Sequence, residues 1–550
     1  MHALIDRRTF LRTGLGAAGA VVLASCAKNN PIHGDGVPAS PADLSLPVAR
    51  PTIRLAGTDF GFPNPFGYTP PGYGRLVPVF DTLLWQGPKK ILVPWLASKY
   101  QRNENGTLYN FELRDNIKWN DGKPLTVDDV VFSFDYTAEV GPPSQFIAKP
   151  EGKIKVTRTG ERTFQIAVDK PTVTFDASVL AGALIVPKHI WQGVKDPAKI
   201  HDLKTLVGSG PYRLEKYEQG GSYLYTANDQ FFLGKPFVKR MEFLQVGDEP
   251  SAVYAGEIDA GGVGTSGVTP ATLKPFRNSR FGIVTGPPEF PAVLLWNQAK
   301  GGPLSDLQFR KACTLAIDRK DLVKRLFPGN AEPGNPGFLP PEHPFRVEVE
   351  QYPFDRAGAE RMLDAAGYKR AAGGIRQGPD GKPLRFKLLA IPPLSAVTEL
   401  VVGMLDKVGI KLDIEPSEFF QAFGPLSAGQ YEMALIFYGG ITGDPDYMRT
   451  VYSSRAQKPF HGAQGYKNLE FDDLADRQLV TYDEAERKKL IARMQQIVAA
   501  DLPFLHLYYP RPILIYRRGG GFDQWDTGLN KQTFVTGRSD DTLKIRPTKA

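Results

Sequence analysis

LRFKLLA at 384–390, SAVTELVVGMLDKVG at 395–409, IKLDIEP at 410–416 and YEMALIFY at 431–438 make up the stretch that decides the fold. Leu384, Phe386 and Leu388 alternate with polar or smaller neighbours, as in a half-buried strand. Val397, Leu400, Val401, Met404, Leu405 and Val408 then recur at helical spacing, with Gly409 placed to stop the helix. Ile410, Leu412 and Ile414 alternate again, and Tyr431–Tyr438 is a third apolar run. Strand, helix and strand at this spacing predict a parallel crossover, hence an α/β fold.

Working outward, the same two periods alternate along most of the chain. Tyr109, Phe111 and Leu113 alternate with Asn110 and Glu112, and Asn120-Asp121-Gly122 marks a turn. Thr126 with Asp129 has the pattern of a capping box, followed by Val130, Val131 and Phe134 on one helical face. Phe309, Ala312, Cys313, Ala316 and Ile317 form an apolar stripe, which predicts Cys313 as a packed core residue. Further helices are expected at 355–366, ending at Gly367, and at 483–500, ending before Pro503. No short-period repeat points to a solenoid or propeller.

At 550 residues the chain is long enough for several domains. It is 42% hydrophobic and 23% charged, with a mean hydropathy of −0.27, values of a folded, water-soluble body. The net charge of +8 is spread thinly, without a block of five like charges, which argues against a nucleic-acid partner. Two cysteines, Cys26 and Cys313, exclude a disulfide scaffold and a zinc ribbon.

The N-terminus reads as an address. Arg7-Arg8-Thr9-Phe10-Leu11-Arg12 precedes an uncharged stretch, Thr13 to Ala27, too short to cross a bilayer core. The paired arginines resemble a twin-arginine export signal, with Asp6 where Ser or Thr is commoner. Leu23-Ala24-Ser25-Cys26 resembles a lipobox, whose cysteine is acylated after cleavage. A plain cleaved signal with a chance cysteine is the alternative. Residues 1–25 are thus an expected signal peptide and 26–50 a lipidated cysteine with a flexible tether. The expected location is the periplasm or cell surface, held to a membrane by lipid.

Catalytic motifs are scarce. Gly381-Lys382 is followed by Pro383, so no phosphate loop forms, and Gly264-Thr265-Ser266-Gly267-Val268 fails the nucleophile elbow at its last position. The seven histidines show no i, i+3 or i, i+4 pair, so no helical metal site is expected and no cofactor is called for. Aromatic residues are abundant, and some flank turns, as in Phe437-Tyr438-Gly439-Gly440 and Gly443-Asp444-Pro445-Asp446-Tyr447. The second segment is either an Asp-Pro turn or the polar corner of an aromatic-walled pocket.

In this order, several segments resemble the family 5 extracellular solute-binding proteins, which include dipeptide- and oligopeptide-binding components of ABC importers. Asp81-Thr82-Leu83-Leu84-Trp85 and Pro94-Trp95-Leu96-Ala97 look like its opening pattern. Phe111 to Arg114, Trp119 to Thr126 and Asp128 to Ser133 carry its most specific signature. Val186-Pro187-Lys188-His189, Gly208-Ser209-Gly210-Pro211-Tyr212, Asn297, Arg310-Lys311-Ala312, Ala316-Ile317-Asp318-Arg319, Ala365 to Tyr368, Lys407 to Ile410, Tyr466-Lys467-Asn468 and Phe471-Asp472 follow.

The resemblance implies a two-lobed periplasmic-binding-protein fold, type II in its large three-region variant, with a ligand cleft between lobes. Lobe I would comprise 51–75, 206–295 and 506–550, with an additional region at 76–205; lobe II would be 296–505. It further implies a non-enzymatic, monomeric lipoprotein that captures peptides or similar amphipathic solutes and delivers them to a membrane permease. In peptide-binding members a carboxylate in such an Asp-Pro-Asp segment holds the ligand's α-amino group. This makes Asp444, then Asp446, the candidate grips, flanked by Tyr438 and Tyr447. Other relatives bind nickel complexes or oligosaccharides. An extracytoplasmic hydrolase with a dispersed site, or a surface lipoprotein without an importer, are the competing functions.

Overall fold

The computed structural model describes residues 52–57, 59–67, 73–86, 92–141, 152–236, 238–262, 270–419, 421–441 and 443–518. Arg7, Arg8, Cys26, the tether, Ser266 and the segment 519–550 lie outside the described residues.

The expected crossover is present. The strands Arg385–Ala390 and Lys411–Pro416 run parallel, joined by the helix Ser395–Lys407, and Met433–Phe437 pairs parallel on the other side of the first. Val397, Val401, Leu405, Val408, Ile410 and Leu412 are buried. Ile414 departs from the expected alternation: it is 45% exposed, because Lys411–Pro416 is an edge strand whose last three residues face solvent. Leu400 and Met404 are half-buried at the border of the helix face. Antiparallel strands Ala292–Trp296, Phe504–Pro510 and Ala331–Pro333 complete a six-stranded sheet. Every residue of Ala292–Trp296 is buried, so this strand is apolar on both faces, as a covered central strand must be. Cys313 is fully buried on the helix Leu307–Ala316, and burial pushes its thiol well up, as for an inert packing residue.

A seven-stranded sheet is built from earlier strands together with the late strand Ile513–Arg517. Thr52–Ala56 pairs parallel with Arg240–Leu244 and with Ala260–Gly262, and antiparallel strands extend it on both sides. A four-stranded antiparallel sheet, built from Ala97–Arg102, Leu108–Leu113, Ile154–Arg158 and Thr163–Val168, shares one apolar core with it. The signature segments hold this joint. Asp81 accepts hydrogen bonds from Trp95 Nε1 at 2.7 Å and Ser209 Oγ at 2.8 Å. Gly208 and Gly210 lie so close to Pro78 and Val79 that a Cβ would meet backbone carbonyls. Thr126 and Asp129 form the expected capping box, and Asp129 also accepts from Lys188 N at 3.0 Å.

Two segments carry the chain between the seven- and six-stranded sheets. One runs from Thr285 to Ala292, the other from Pro510 to Ile513. They bond to one another: Gly286 N donates to Pro512 O at 2.8 Å and Glu289 N to Pro510 O at 2.9 Å. A separate contact joins the region before residue 205 to the connection between the helices Leu469–Leu479 and Glu484–Asp501. There Val173 N donates to Leu479 O at 2.8 Å and Tyr482 Oη to Thr172 O at 3.1 Å. The Arg102 guanidinium lies 4.5 Å from the centre of the Tyr482 ring.

Candidate functional site

In open parallel sheets, ligands bind outside the carboxyl ends of the strands, where loops leave the packed core. The loop leaving Met433–Phe437 at that end carries every residue singled out in the Asp-Pro-Asp region. Gly439 and Gly440 let it depart: a Cβ at Gly439 would stand 2.9 Å from the Phe290 ring, and Gly440 has φ +93. The segment Gly443 to Tyr447 is a turn. Asp444 Oδ1 accepts from Asp446 N at 2.8 Å, Asp444 O from Tyr447 N at 3.1 Å, and the helix Tyr447–Tyr452 follows. His343 Nε2 lies 3.0 Å from Gly443 O.

Both carboxylates have cationic partners. Arg487, on the helix Glu484–Asp501, donates to both oxygens of Asp444, with Nη1 to Oδ2 at 2.9 Å. Arg449 forks onto both oxygens of Asp446 at 2.8 and 2.9 Å. Gln478 joins the two pairs, its amide donating to Asp446 Oδ1 while its oxygen accepts from Arg487 Nε at 3.1 Å and Nη2 at 3.0 Å. The pairs differ in access. Asp446 and Arg449 side chains are 10% and 16% exposed, whereas Asp444 is 32% exposed above an Arg487 that is only 9% exposed. A carboxylate offers about four lone-pair directions. Arg487 and the Asp446 amide take three of those of Asp444, and Arg449 and Gln478 take three of those of Asp446, so the two carboxylates are set apart by exposure.

The flanking tyrosines face inward. Tyr438 Oη lies 2.7 Å from His506 Nε2, and its ring stacks on His461 with centroids 4.1 Å apart and planes at 7°. Tyr447 Oη lies 2.9 Å from His461 Nε2. Burial drives both imidazoles down to about 3, so they are neutral at ordinary pH. Tyr438 is 2% exposed, and burial raises its phenol well above the usual range. It supports the turn from beneath.

Of the aromatic surface beside this turn, sequence reasoning singled out Phe437 but not Phe290, Phe419, Phe423 or Phe460. Phe437 at the strand end stacks with Phe419 at 4.8 Å and meets Phe290 edge-on at 6.4 Å. Phe419 meets Phe423 edge-on at 5.0 Å, and Phe423 stacks with Phe460 at 4.2 Å. All five rings are half-buried. Among the described residues, no group of three or more His, Cys, Asp or Glu side chains is placed to hold a metal ion.

Residues 92–460 match the model of the bacterial extracellular solute-binding proteins, family 5. The oligopeptide-binding protein AppA of Bacillus subtilis is 27% identical over 440 residues, 76% of this chain and 78% of the relative. The nickel-binding periplasmic protein of Escherichia coli is 22% identical over 443 residues, 78% and 83% of the two chains. The solved periplasmic oligopeptide-binding protein of Thermotoga maritima superposes with a TM-score of 0.78 at 25% identity, covering 90% of this chain and 97% of that one. NikA of Brucella suis, solved with Fe(III)-EDTA, gives 0.77 at 22% identity, covering 91% and 100%. The fold is therefore the two-lobed, type II arrangement.

Proposed function

The chain belongs to the family 5 extracellular solute-binding proteins, and from that premise we propose that it captures peptides or similar amphipathic solutes for an ABC permease. The observation that carries the choice of solute is the Asp444 carboxylate, held by both oxygens on a buried Arg487 and itself 32% exposed. A fixed carboxylate loses little freedom when it receives an ammonium, and the charge-assisted bond is strong once water is excluded. Asp446 accepts the same number of hydrogen bonds but is only 10% exposed, and is second choice. Tyr438 and Tyr447 brace the turn. Residues 51–75, 206–295 and 506–550 with 76–205 would move as one lobe and 296–505 as the other, rotating about the paired crossing segments.

Mass spectrometry of solute released on denaturing the purified protein tests this reading. Peptides are the expected result; a metal chelate or a sugar would transfer the protein to another branch of the family. Peptide or ester turnover by purified protein would revive the hydrolase reading.

The address proposed for the N-terminus is a twin-arginine signal with lipid on Cys26, giving a membrane-tethered monomer outside the cytoplasm. Lysine at both Arg7 and Arg8 is expected to block export, and Cys26→Ala to release the protein. Normal anchoring of the Cys26→Ala protein would remove the lipid from the account.

A further inference from the structure

We infer that Phe290, Phe419, Phe423, Phe437 and Phe460 form a subsite for an aromatic group of the solute, so that this protein selects aromatic over aliphatic ligands. This rests on the solute-capture reading above and specifies its chemistry. Three observations converge. The rings make one continuous array at the carboxyl end of the parallel strands of the six-stranded sheet, where the loop bearing Asp444 begins. All five are half-buried, so part of each residue stays open to solvent although Phe419, Phe437 and Phe460 also pack against the core.

The third observation is the backbone. Phe290 has φ +53, a left-handed conformation costly for a bulky residue and characteristic of functional sites. It lies in a crossing segment, one residue beyond Glu289 N, which bonds to Pro510 O. Gly439 has no side chain where a Cβ would press on that ring. The chain thus accepts strain at one position and omits a side chain at another to bring Phe290 to the array. Mixed stacked and edge-on geometry suits a further ring, which gains both apolar burial and quadrupole contact. An aliphatic group gains only the burial. The array at one end of the loop and Asp444 at the other would receive the two ends of an amphipathic solute.

The test uses full-length protein and thermal-shift titration with two tripeptide pools, one containing Phe, Tyr or Trp at every position and one limited to Ala, Val and Leu. Tryptamine and butylamine form a second, non-peptide pair. The aromatic pool should half-saturate at about tenfold or more lower concentration than the aliphatic pool. Phe423→Leu and Phe437→Leu keep apolar bulk and should each reduce that preference. Equal affinity for both pools would overturn the inference and leave peptide capture standing. If neither pool bound but tryptamine did, with a preference over butylamine reduced in Phe423→Leu, peptide capture would fall and the aromatic subsite would stand. Failure of every aromatic probe, or an aromatic preference unchanged in both variants, would also overturn it.

Discussion

Arg487 holds Asp444 by both carboxylate oxygens across 43 residues of sequence, with its own guanidinium over the Phe345 ring at 5.7 Å. The pair is asymmetric: the guanidinium is buried and the carboxylate partly open. Removing either partner therefore has different consequences, and this separates a structural turn from a ligand grip.

Asp444→Asn should cost about 1–3 kcal/mol of stability, since Arg487 loses its charged acceptor but keeps Gln478. It should also weaken peptide binding by about a hundredfold and abolish the preference for a free over an acetylated amino terminus. Arg487→Met should cost similar stability yet retain that preference. Calorimetric titration with free and N-acetylated peptide reads both. Undiminished affinity in Asp444→Asn would return the segment to a turn, whereas loss confined to Asp446→Asn would move the grip by two residues.

His461 and His506 set a pH window. Their folded values are lowered to about 3 by burial, against about 6.5 for an unfolded histidine. As pH falls below the unfolded value, the unfolded chain takes up protons that the folded chain refuses, and stability declines until the folded value is reached. The slope is about 1.4 kcal/mol per pH unit for each imidazole within that window. Melting temperature should fall between pH 6.5 and 4.5, and His506→Phe should flatten the fall. An unchanged slope in that variant would mean that the imidazole titrates while folded.

Gly208→Ala should destabilise by about 1–3 kcal/mol or more, because its Cβ would lie 1.9 Å from the Val79 carbonyl and the segment cannot retreat while Asn120 N bonds to Gly208 O. Gly403→Ala has the opposite expected sign. It lies within the helix Ser395–Lys407 with nothing near its Cβ, and alanine should add about 0.5–1 kcal/mol. Urea unfolding of the two variants checks both signs.

Tyr482→Ala should loosen the contact with Thr172 and Arg102. Hydrogen exchange of the Val173 amide, which donates to Leu479 O, should accelerate while exchange in Ala292–Trp296 stays unchanged. Equal protection of Val173 in both proteins would show that the backbone bond carries the contact alone.

These cases also show where reading the chain succeeded. The crossover at 384–416 was apparent because period switches from two to 3.6 and back within one stretch, each period reporting a local geometry. The helices at Arg356–Ala365 and Glu484–Asp501 likewise follow from local stripes and stops. The edge position of Lys411–Pro416 was not apparent, since strand order depends on chain far away, and Ile414 was misjudged for that reason. Asp444 could be named from its turn, but its partner Arg487 could not, for no spacing rule links them. The five phenylalanines come from separate loops and strand ends, and only folding brings them together.

The crossing at Pro510–Ile513 governs how the molecule is made. Among the described residues, Phe281–Thr285 reaches its sheet only through Ile513–Arg517, and Ala331–Pro333 reaches its own only through Phe504–Pro510. A growing chain released after residue 500 would have the four-stranded sheet in full but the two larger sheets unfinished, with open edges. Translation of one short segment near the end finishes both. The two large sheets thus stay unfinished until synthesis is nearly over, and until then their open edges must be kept from pairing with neighbouring chains.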